Sequence, residues 1–466
     1  MNSIDLVQPR HSYAPEEGQG HIYSNTSLWT AASRIIQAGG EVAQICDENL
    51  NSYEPESDIV GVNLVGPPYI QVVRERMRNL LGRRLVVGGQ IVNGLAGLDT
   101  FSCTNRAQLQ TLFGNDVVNG NNDEELTRTL DLENRMPGLL ETSLIPAYER
   151  ISDEDMREYL SREISFFLSR GCKKGCLFCA SDKRMKEQYR NFEVIDADLR
   201  YLVKRASELG IPKLEIYISN QDVFQTPDKI KEFAFIVQNI QQQNPEVTIR
   251  MRGLSNSSSL VDAHNDGHTC IRDMVDAGFH TVGFGIDGGT PEVWAQQRKT
   301  HNTMDKCISS MRIAREEYDL TPEVLMVFGH QDETEKSLRS ALTFTEDMVN
   351  LYGAIPRPHV AKDIVPGSDY WHNKIKKTTE VKRQDRARRI KYLMKHPEYF
   401  QSLDFTTLPN SLSHSDETLR ERTEHYYRLI TQLPGNTTPV IYPIAPEFSP
   451  EQNEEHRRRN TGKYDR

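Results

Sequence analysis

Residues 169–183 read SRGCKKGCLFCASDK and place Cys172, Cys176 and Cys179 on one short stretch beside Lys173 and Lys174. Three of the seven cysteines of the chain therefore fall within eight residues. A closed tetrahedral zinc site, or an iron–sulfur cluster held wholly by cysteine, takes four protein ligands, so a set of three leaves one position open. Gly171 and Gly175 let backbone amides turn toward the thiolates, and the two lysines offset the negative charge of a cluster. Two other readings of the spacing are a zinc site completed by a distant histidine and three buried thiols. Cys46, Cys103, Cys270 and Cys307 lie far apart and offer no second CxxC pair.

Working outward, the cysteines follow a short apolar run, ISFFLSR (164–170), and five more such runs come after them: KLEIYIS (213–219), VTIRMRG (247–253), HTVGFGID (280–287), EVLMVFG (323–329) and RPHVAKDI (357–364). Amphipathic stretches such as DADLRYLVKRASELG separate them. Six strands joined by crossover helices predict an open or partial barrel over 164–370, with its active site at the carboxyl ends of the strands. The cysteine stretch follows the first of those strands.

Upstream, residues 1–135 alternate between β-rich runs (SIDLVQPR, EVAQICDE, DIVGVNLVG, RRLVVGG, NDVVNG) and helical ones (TSLWTAASRIIQAGG, YIQVVRERMRNLL, DEELTRTLDL). That alternation predicts a parallel sheet covered on both faces, with any ligand beyond the carboxyl ends of its strands. Those ends carry Val65, Gly66, Gly88, Gly89, Asn119 and Gly120, small or polar residues that admit a large ligand and that also suit ordinary turns. Residues 136–163, with Pro137, Pro146 and several acids, read as a linker. Residues 371–466 are highly charged and read as a mainly helical or irregular C-terminal region. The overall expectation is an α/β chain of two α/β units and a tail.

Composition narrows the function. The chain has 466 residues, 37% hydrophobic content and a formal net charge of −10, which is poorly suited to neutralising nucleic-acid phosphates. No apolar run approaches the roughly 20 residues that span a bilayer. The start, MNSIDLVQPRHSY, lacks a basic segment followed by a long apolar one, so a cytoplasmic location is expected, with no nucleic-acid or membrane partner.

The CxxxCxxC loop, with Phe178 before Cys179, resembles the signature of the radical S-adenosylmethionine (radical SAM) superfamily. The resemblance continues along the chain. YISNQDVF (217–224) stands at the second-strand position that meets the methionine amino group, without the glycine-rich form of that motif. IRMRG carries Arg252 at a third-strand polar position, and GFGIDGGTPEVW (283–294) is similar to the fourth-strand GIESG segment, with Asp287 in place of Glu. VFGHQDET and DIVPGSDYW resemble the fifth-strand and sixth-strand turns. The resemblance implies that Cys172, Cys176 and Cys179 bind a 4Fe–4S cluster, and that Phe178, Asn220, Gln221, Asp222, Arg252 and Asp287 surround SAM. It also implies reductive cleavage of SAM to a 5′-deoxyadenosyl radical, fed by an external one-electron reductant of flavodoxin or ferredoxin type.

The N-terminal unit resembles the Rossmann-like cobalamin-binding domain of cobalamin-dependent radical SAM enzymes. VQPR, GGEVAQICDE, DIVGVNLVGP, VVGGQIVNG and VVNGNNDEE match its five strand-end elements in order, whereas the DxHxxG loop that would ligate cobalt from below is missing. This resemblance implies cobalamin at the strand ends named above. It also implies a methyltransferase acting on an unactivated carbon of a small biosynthetic intermediate. The alternative within the same chemistry is oxidation, cyclisation or rearrangement without methyl transfer, and a non-catalytic redox-cluster protein is the alternative from another class. A methylthiotransferase is disfavoured, because Cys46 and Cys103 are too few for a second cluster.

Overall fold

The structure, a computed structural model, describes residues 2–9, 26–64, 82–89, 117–179, 184–328 and 333–360, together with positions 73, 80, 92, 181, 368, 369, 425, 426, 429, 430 and 432–435. Strands β1 (Ser3–Gln8), β2 (Glu41–Asp47), β3 (Ile59–Asn63), β4 (Arg84–Gly88) and β5 (Val117–Asn119) form a parallel sheet in the order β2-β1-β3-β4-β5. β3 is buried along its whole length, as a central parallel strand covered on both faces should be. Helix α1 (Thr26–Gln37) covers one face with Leu28, Trp29, Ala32 and Ile35, which recur at helical spacing and are all buried. Helix α2 (Asp123–Leu130) starts where Asn122 accepts a hydrogen bond from Glu125 N, and three acids in its first turn suit its dipole. Apart from positions 73 and 80, the expected helix over 69–81 lies outside the described residues, as do Val65 and Gly66.

The stretch read as a linker is a packed joint. Helix α3 (Asp153–Leu160) and the turn Ile145–Tyr148 bury Ala147, Tyr148, Met156, Tyr159 and Leu160. Trp29 of α1 meets the rings of Tyr148 and Tyr159 edge-on at 5.4 and 5.1 Å, and Tyr159 donates to Asp47 at 2.9 Å. On the other side Tyr148 stacks on Tyr201 at 5.9 Å. Buried Arg190 donates to Phe167 O and Thr142 O and pairs with Asp198, which also accepts from Ser143 Oγ and Leu144 N.

The second unit holds β6 (Glu163–Phe166), β9 (Lys213–Ile218), β10 (Thr248–Ser255), β11 (Phe279–Gly285), β12 (Thr321–Phe328) and β13 (Ile355–Val360). These form one six-stranded sheet in the order β13-β12-β11-β10-β9-β6, parallel at every pairing. Helices α4 (Phe192–Glu208), α5 (Pro227–Gln243), α6 (Ser257–Asn265), α7 (Cys270–Asp276), α8 (Pro291–Gln296), α9 (Met304–Arg312) and α10 (Glu335–Tyr352) lie between the strands. On β10, Ile249, Met251 and Gly253 are buried, whereas Arg250, Arg252 and Leu254 alternate with them and are only partly covered, as expected for the inner face of a partial barrel. A two-stranded ribbon, β7 (Ser169–Arg170) and β8 (Gln188–Tyr189), brackets the cysteine loop antiparallel. Its separation from β6 shortens the first strand read from the sequence. Thr26, which opens α1 on the carboxyl side of β1, donates from Oγ1 to Ser165 O of β6 at 3.1 Å. This bond ties the start of α1 to the first barrel strand.

Candidate active site

The cysteine loop is anchored on three sides. Gly171 has φ +98°, and a Cβ there would stand 2.7 Å from Lys186 O, so the ribbon can close only on glycine. Behind it, Gln225 accepts from Lys173 N at 3.0 Å and donates to Gly171 O at 3.3 Å. Leu177 N donates to Gln297 O at the end of α8, at 3.0 Å. Arg184 N and Met185 N return to Lys174 O and Cys172 O. Lys174 N and Ser181 N each approach a cysteine sulfur, Cys172 Sγ and Cys179 Sγ, at 3.4 Å. The Lys174 amide at Cys172 favours the thiolate form there.

Burial, however, pushes the free thiols up: Cys172 is raised, and Cys176 is raised to about 11 even though the nearby Lys299 charge pulls the other way. Such thiols ionise when a metal takes the proton's place. Among the described residues, no three Cys, His, Asp or Glu side chains meet around one point as the ligands of a single ion would. A cluster of the cube type takes one cysteine on each of three irons, so three thiols on one short loop are the donor set it uses. Cys46, Cys270 and Cys307 are buried on β2, α7 and α9. The donor set thus fits a three-cysteine cluster.

The expected cofactor residues fall into two groups. Asn220 and Gln221 follow β9 directly beneath the loop. Asn220 Oδ1 accepts from Ser169 N at 3.1 Å, while its buried Nδ2 and the Oε1 of Gln221 have no partner among the described residues. A buried amide with one end unsatisfied awaits a ligand or pays a desolvation penalty. Asp287 follows β11 in the left-handed region at φ 44°, ahead of Gly288 and Gly289 at φ 77° and 58°. It forms a buried ion pair with Lys299, whose ammonium also lies 5.8 Å from the centre of the Phe178 ring. Asn302 and Trp294 brace the same turn through Ile286 O. Cys176, Phe178, Asp287 and Lys299 therefore share one neighbourhood.

Asp222 and Arg252 are engaged by the fold itself. Asp222 is buried, and both of its oxygens are occupied by Ser255, Asn256 and Ser259. Arg252 lies within the barrel, paired with Glu163 through two nitrogens, 3.7 Å from Glu323 and 4.6 Å from the centre of the Tyr217 ring. Glu323 also pairs with Arg357 at 2.5 Å, so Glu163, Arg252, Glu323 and Arg357 run as alternating charges from β6 to β13. Contacts of Asp222 and Arg252 with SAM are proposals beside this observed bracing. The sequence reading missed Gln225, Gln297, Asn256 and His301. Gln225 and Asn256 follow strand ends and were within reach of that argument, whereas Gln297 acts through its backbone and leaves no residue-type signal.

In the N-terminal unit, Gly89 has φ +103°, and a Cβ there would stand 2.4 Å from Asn63 Oδ1. A Cβ on Gly120 would meet Val86 and Val87 O at 3.0 and 3.1 Å, and one on Gly88 would meet Asn121 Oδ1 at 3.4 Å. These glycines let the strand-end turns pack on one another. Asn121 clasps Gly89 from both sides, accepting from its N–H at 3.0 Å and donating to its O at 2.8 Å, and Asn119 Oδ1 accepts from Asn121 N. With Asn63 donating to Gln8 at 3.2 Å, the carboxyl ends carry a rim of amides. Such a rim fits the amide-rich periphery of a corrin.

Residues 166–344 match the family model described as Radical SAM superfamily. No curated protein matches the chain. Among solved structures, the radical S-adenosylmethionine methyltransferase TsrM from Kitasatospora setae, with cobalamin and a 4Fe–4S cluster bound, is similar at a TM-score of 0.57 and 15% identity. That match covers 79% of this chain and 77% of the other. The cobalamin-dependent S-adenosylmethionine radical enzyme OxsB, with aqua-cobalamin and S-adenosylmethionine bound, is similar at a TM-score of 0.57 and 12% identity, covering 91% of this chain and 66% of the other. These likenesses carry the fold of both units. Among the described residues no helix is long and apolar enough to cross a membrane.

Proposed function

From the match of residues 166–344 to the Radical SAM superfamily model, we propose a cobalamin-dependent radical SAM methyltransferase that acts on an unactivated carbon of a small biosynthetic intermediate. The observation that carries this reading is the loop with three cysteines beside the first barrel strand, to which Thr26 at the start of α1 is tied through Ser165 O. When bound, the cluster supplies the electron that splits SAM, and cobalamin supplies a carrier for the methyl group.

The work of this chain's own residues is to hold and shield. Cys172, Cys176 and Cys179 would hold the cluster, leaving one iron for the amino and carboxylate groups of SAM. Asn220 Nδ2 and Gln221 Oε1 offer a donor and an acceptor to that amino-acid end. Phe178 offers an apolar face to the adenine, and the amide rim of Gln8, Asn63, Asn119 and Asn121 would border the corrin. The reaction needs no general base, since hydrogen abstraction is governed by how closely the substrate carbon is held to the adenosyl carbon. Support for methyl transfer comes from TsrM, described as a methyltransferase and solved with cobalamin and a 4Fe–4S cluster, whereas OxsB, described as a cobalamin-dependent radical enzyme, supports the pairing of this fold with cobalamin alone.

The test is anaerobic reconstitution with iron, sulfide and hydroxocobalamin, followed by SAM and a reductant. The reading expects about four irons and one cobalt per chain, 5′-deoxyadenosine from the native protein, and none from Cys172→Ala. Iron without cobalt would leave radical chemistry and remove the methyltransferase assignment.

A further inference from the structure

Asp222, buried just beyond β9, spends both oxygens on the end of β10. Oδ1 accepts from Ser255 Oγ at 2.9 Å and Asn256 N at 3.2 Å, and Oδ2 from Asn256 Nδ2 at 2.7 Å and Ser259 Oγ at 2.6 Å. A carboxylate only accepts, so Asn256 must turn its NH2 toward Asp222 and present its Oδ1 on the other side. There it meets Nε2 of His301 at 3.0 Å. An amide oxygen also only accepts, so Nε2 carries the hydrogen, and Nδ1 of the neutral ring keeps a bare lone pair. Burial, reinforced by the charges of Lys299, Lys174 and Lys306, holds His301 down at about 3. The ring therefore stays neutral throughout the working range of pH.

Nδ1 of His301 has no hydrogen-bond partner among the described residues. The nearby ammonium groups do not supply one: Lys299 is spent on Asp287 and Gly285 O, and Lys306 pairs with Asp262 at 2.9 Å. A buried carboxylate, an amide and an imidazole in series fix a tautomer at some cost in freedom, and the outermost atom is an acceptor that cannot become a donor. Its neighbours place the ring near the cysteine loop. Lys174 belongs to the cysteine loop, and Lys299 borders the Phe178 ring.

We propose that His301 is a specificity-determining residue of the cofactor site: its Nδ1 accepts a hydrogen bond from an N–H or O–H group of bound SAM, with Asp222 and Asn256 as positioning residues. This rests on the radical SAM reading of the loop. A neutral, tautomer-fixed acceptor discriminates strongly against a ligand that lacks the matching donor, because the acceptor is then left unpaired.

The experiment is isothermal titration of SAM into the cluster-loaded full-length chain under anaerobic conditions. His301→Gln keeps an N–H that reaches Asn256 and deletes the Nδ1 acceptor. His301→Asn keeps an acceptor near the Nδ1 position and deletes the bond to Asn256. At native iron content, His301→Gln is expected to raise the Kd for SAM about tenfold, the worth of one buried hydrogen bond, and His301→Asn to recover part of that loss. A His301→Gln protein with a Kd within about twofold of native overturns the proposal. An unchanged Kd with a raised KM for the second substrate also overturns it, since the donor then belongs to the substrate. If native protein holds its cluster and binds no SAM at all, the radical SAM reading itself has failed.

Discussion

Replacing Lys299 with methionine tests whether the pair behind the cysteine loop is a true buried ion pair. Lys299 is 4% exposed and Asp287 5%, and besides Asp287 the ammonium meets only the carbonyl of Gly285 at hydrogen-bond distance among the described residues. Removing it strands a buried carboxylate, which typically costs about 3–5 kcal/mol, a large share of the roughly 5–15 kcal/mol by which a domain is stable. Asp287→Asn should cost about as much by stranding the ammonium. The double variant leaves no uncompensated charge, so its loss should be at least about 2 kcal/mol smaller than the sum of the singles. Urea unfolding of the metal-free chain, followed by tryptophan fluorescence, reads this out well because Trp294 Nε1 donates to Ile286 O, the residue before Asp287. A coupling below about 0.5 kcal/mol would refute the reasoning, since exposed pairs give values of that size.

Three further outcomes are expected. Gly89→Ala forces a Cβ to within 2.4 Å of Asn63 Oδ1 at φ +103°; it should lower the stability of the N-terminal unit by more than about 1 kcal/mol and abolish corrinoid retention, read as cobalt per chain after gel filtration. Trp29→Ala removes the ring wedged between Tyr148 and Tyr159; a loss of about 3–5 kcal/mol and rapid proteolytic cleavage within 136–163 are expected, and a cleavage rate equal to native would contradict the packed joint. Burial opposes ionisation of Glu215, but the neighbouring His280 at 3.4 Å and Lys213 at 2.9 Å and the charge of Arg250 outweigh it and hold the carboxyl down at about 2. A depressed carboxyl contributes stability above its unfolded value that is lost as pH falls through its folded one. Glu215→Gln should therefore cost about 1 kcal/mol at pH 7 after solvent screening, with the difference from native shrinking below about pH 4.5. A gap in unfolding free energy that stays constant down to pH 3 would refute this assignment.

Much of the fold was legible because its signals are local. Apolar runs of strand length, each followed by an amphipathic helix, fix parallel pairing, and all six barrel strands and the five N-terminal strands occur in the predicted chain order. The cysteine loop was legible for the same reason, since its three cysteines sit within eight residues. Long-range partners were not. Nothing in IRMRG announces that Arg252 is taken by Glu163, 89 residues earlier, or in SNQDVF that Asp222 is occupied by a strand end 33 residues on. The acidic, proline-bearing stretch 136–163 resembles a linker by composition, yet Tyr148 and Tyr159 supply buried surface that is recognisable only once Trp29 is in place. His301 gave no signal at all, because a lone histidine in a polar run gains meaning from Asn256 and Asp222 alone.

The central claim is that three thiolates hold a cluster whose remaining iron is open to SAM, and electron paramagnetic resonance tests it most directly. Anaerobically prepared, dithionite-reduced protein should give the spectrum of a reduced 4Fe–4S cluster, and adding SAM should change its g-values as the open iron gains ligands. A protein without iron, or a cluster spectrum indifferent to saturating SAM, would contradict the account.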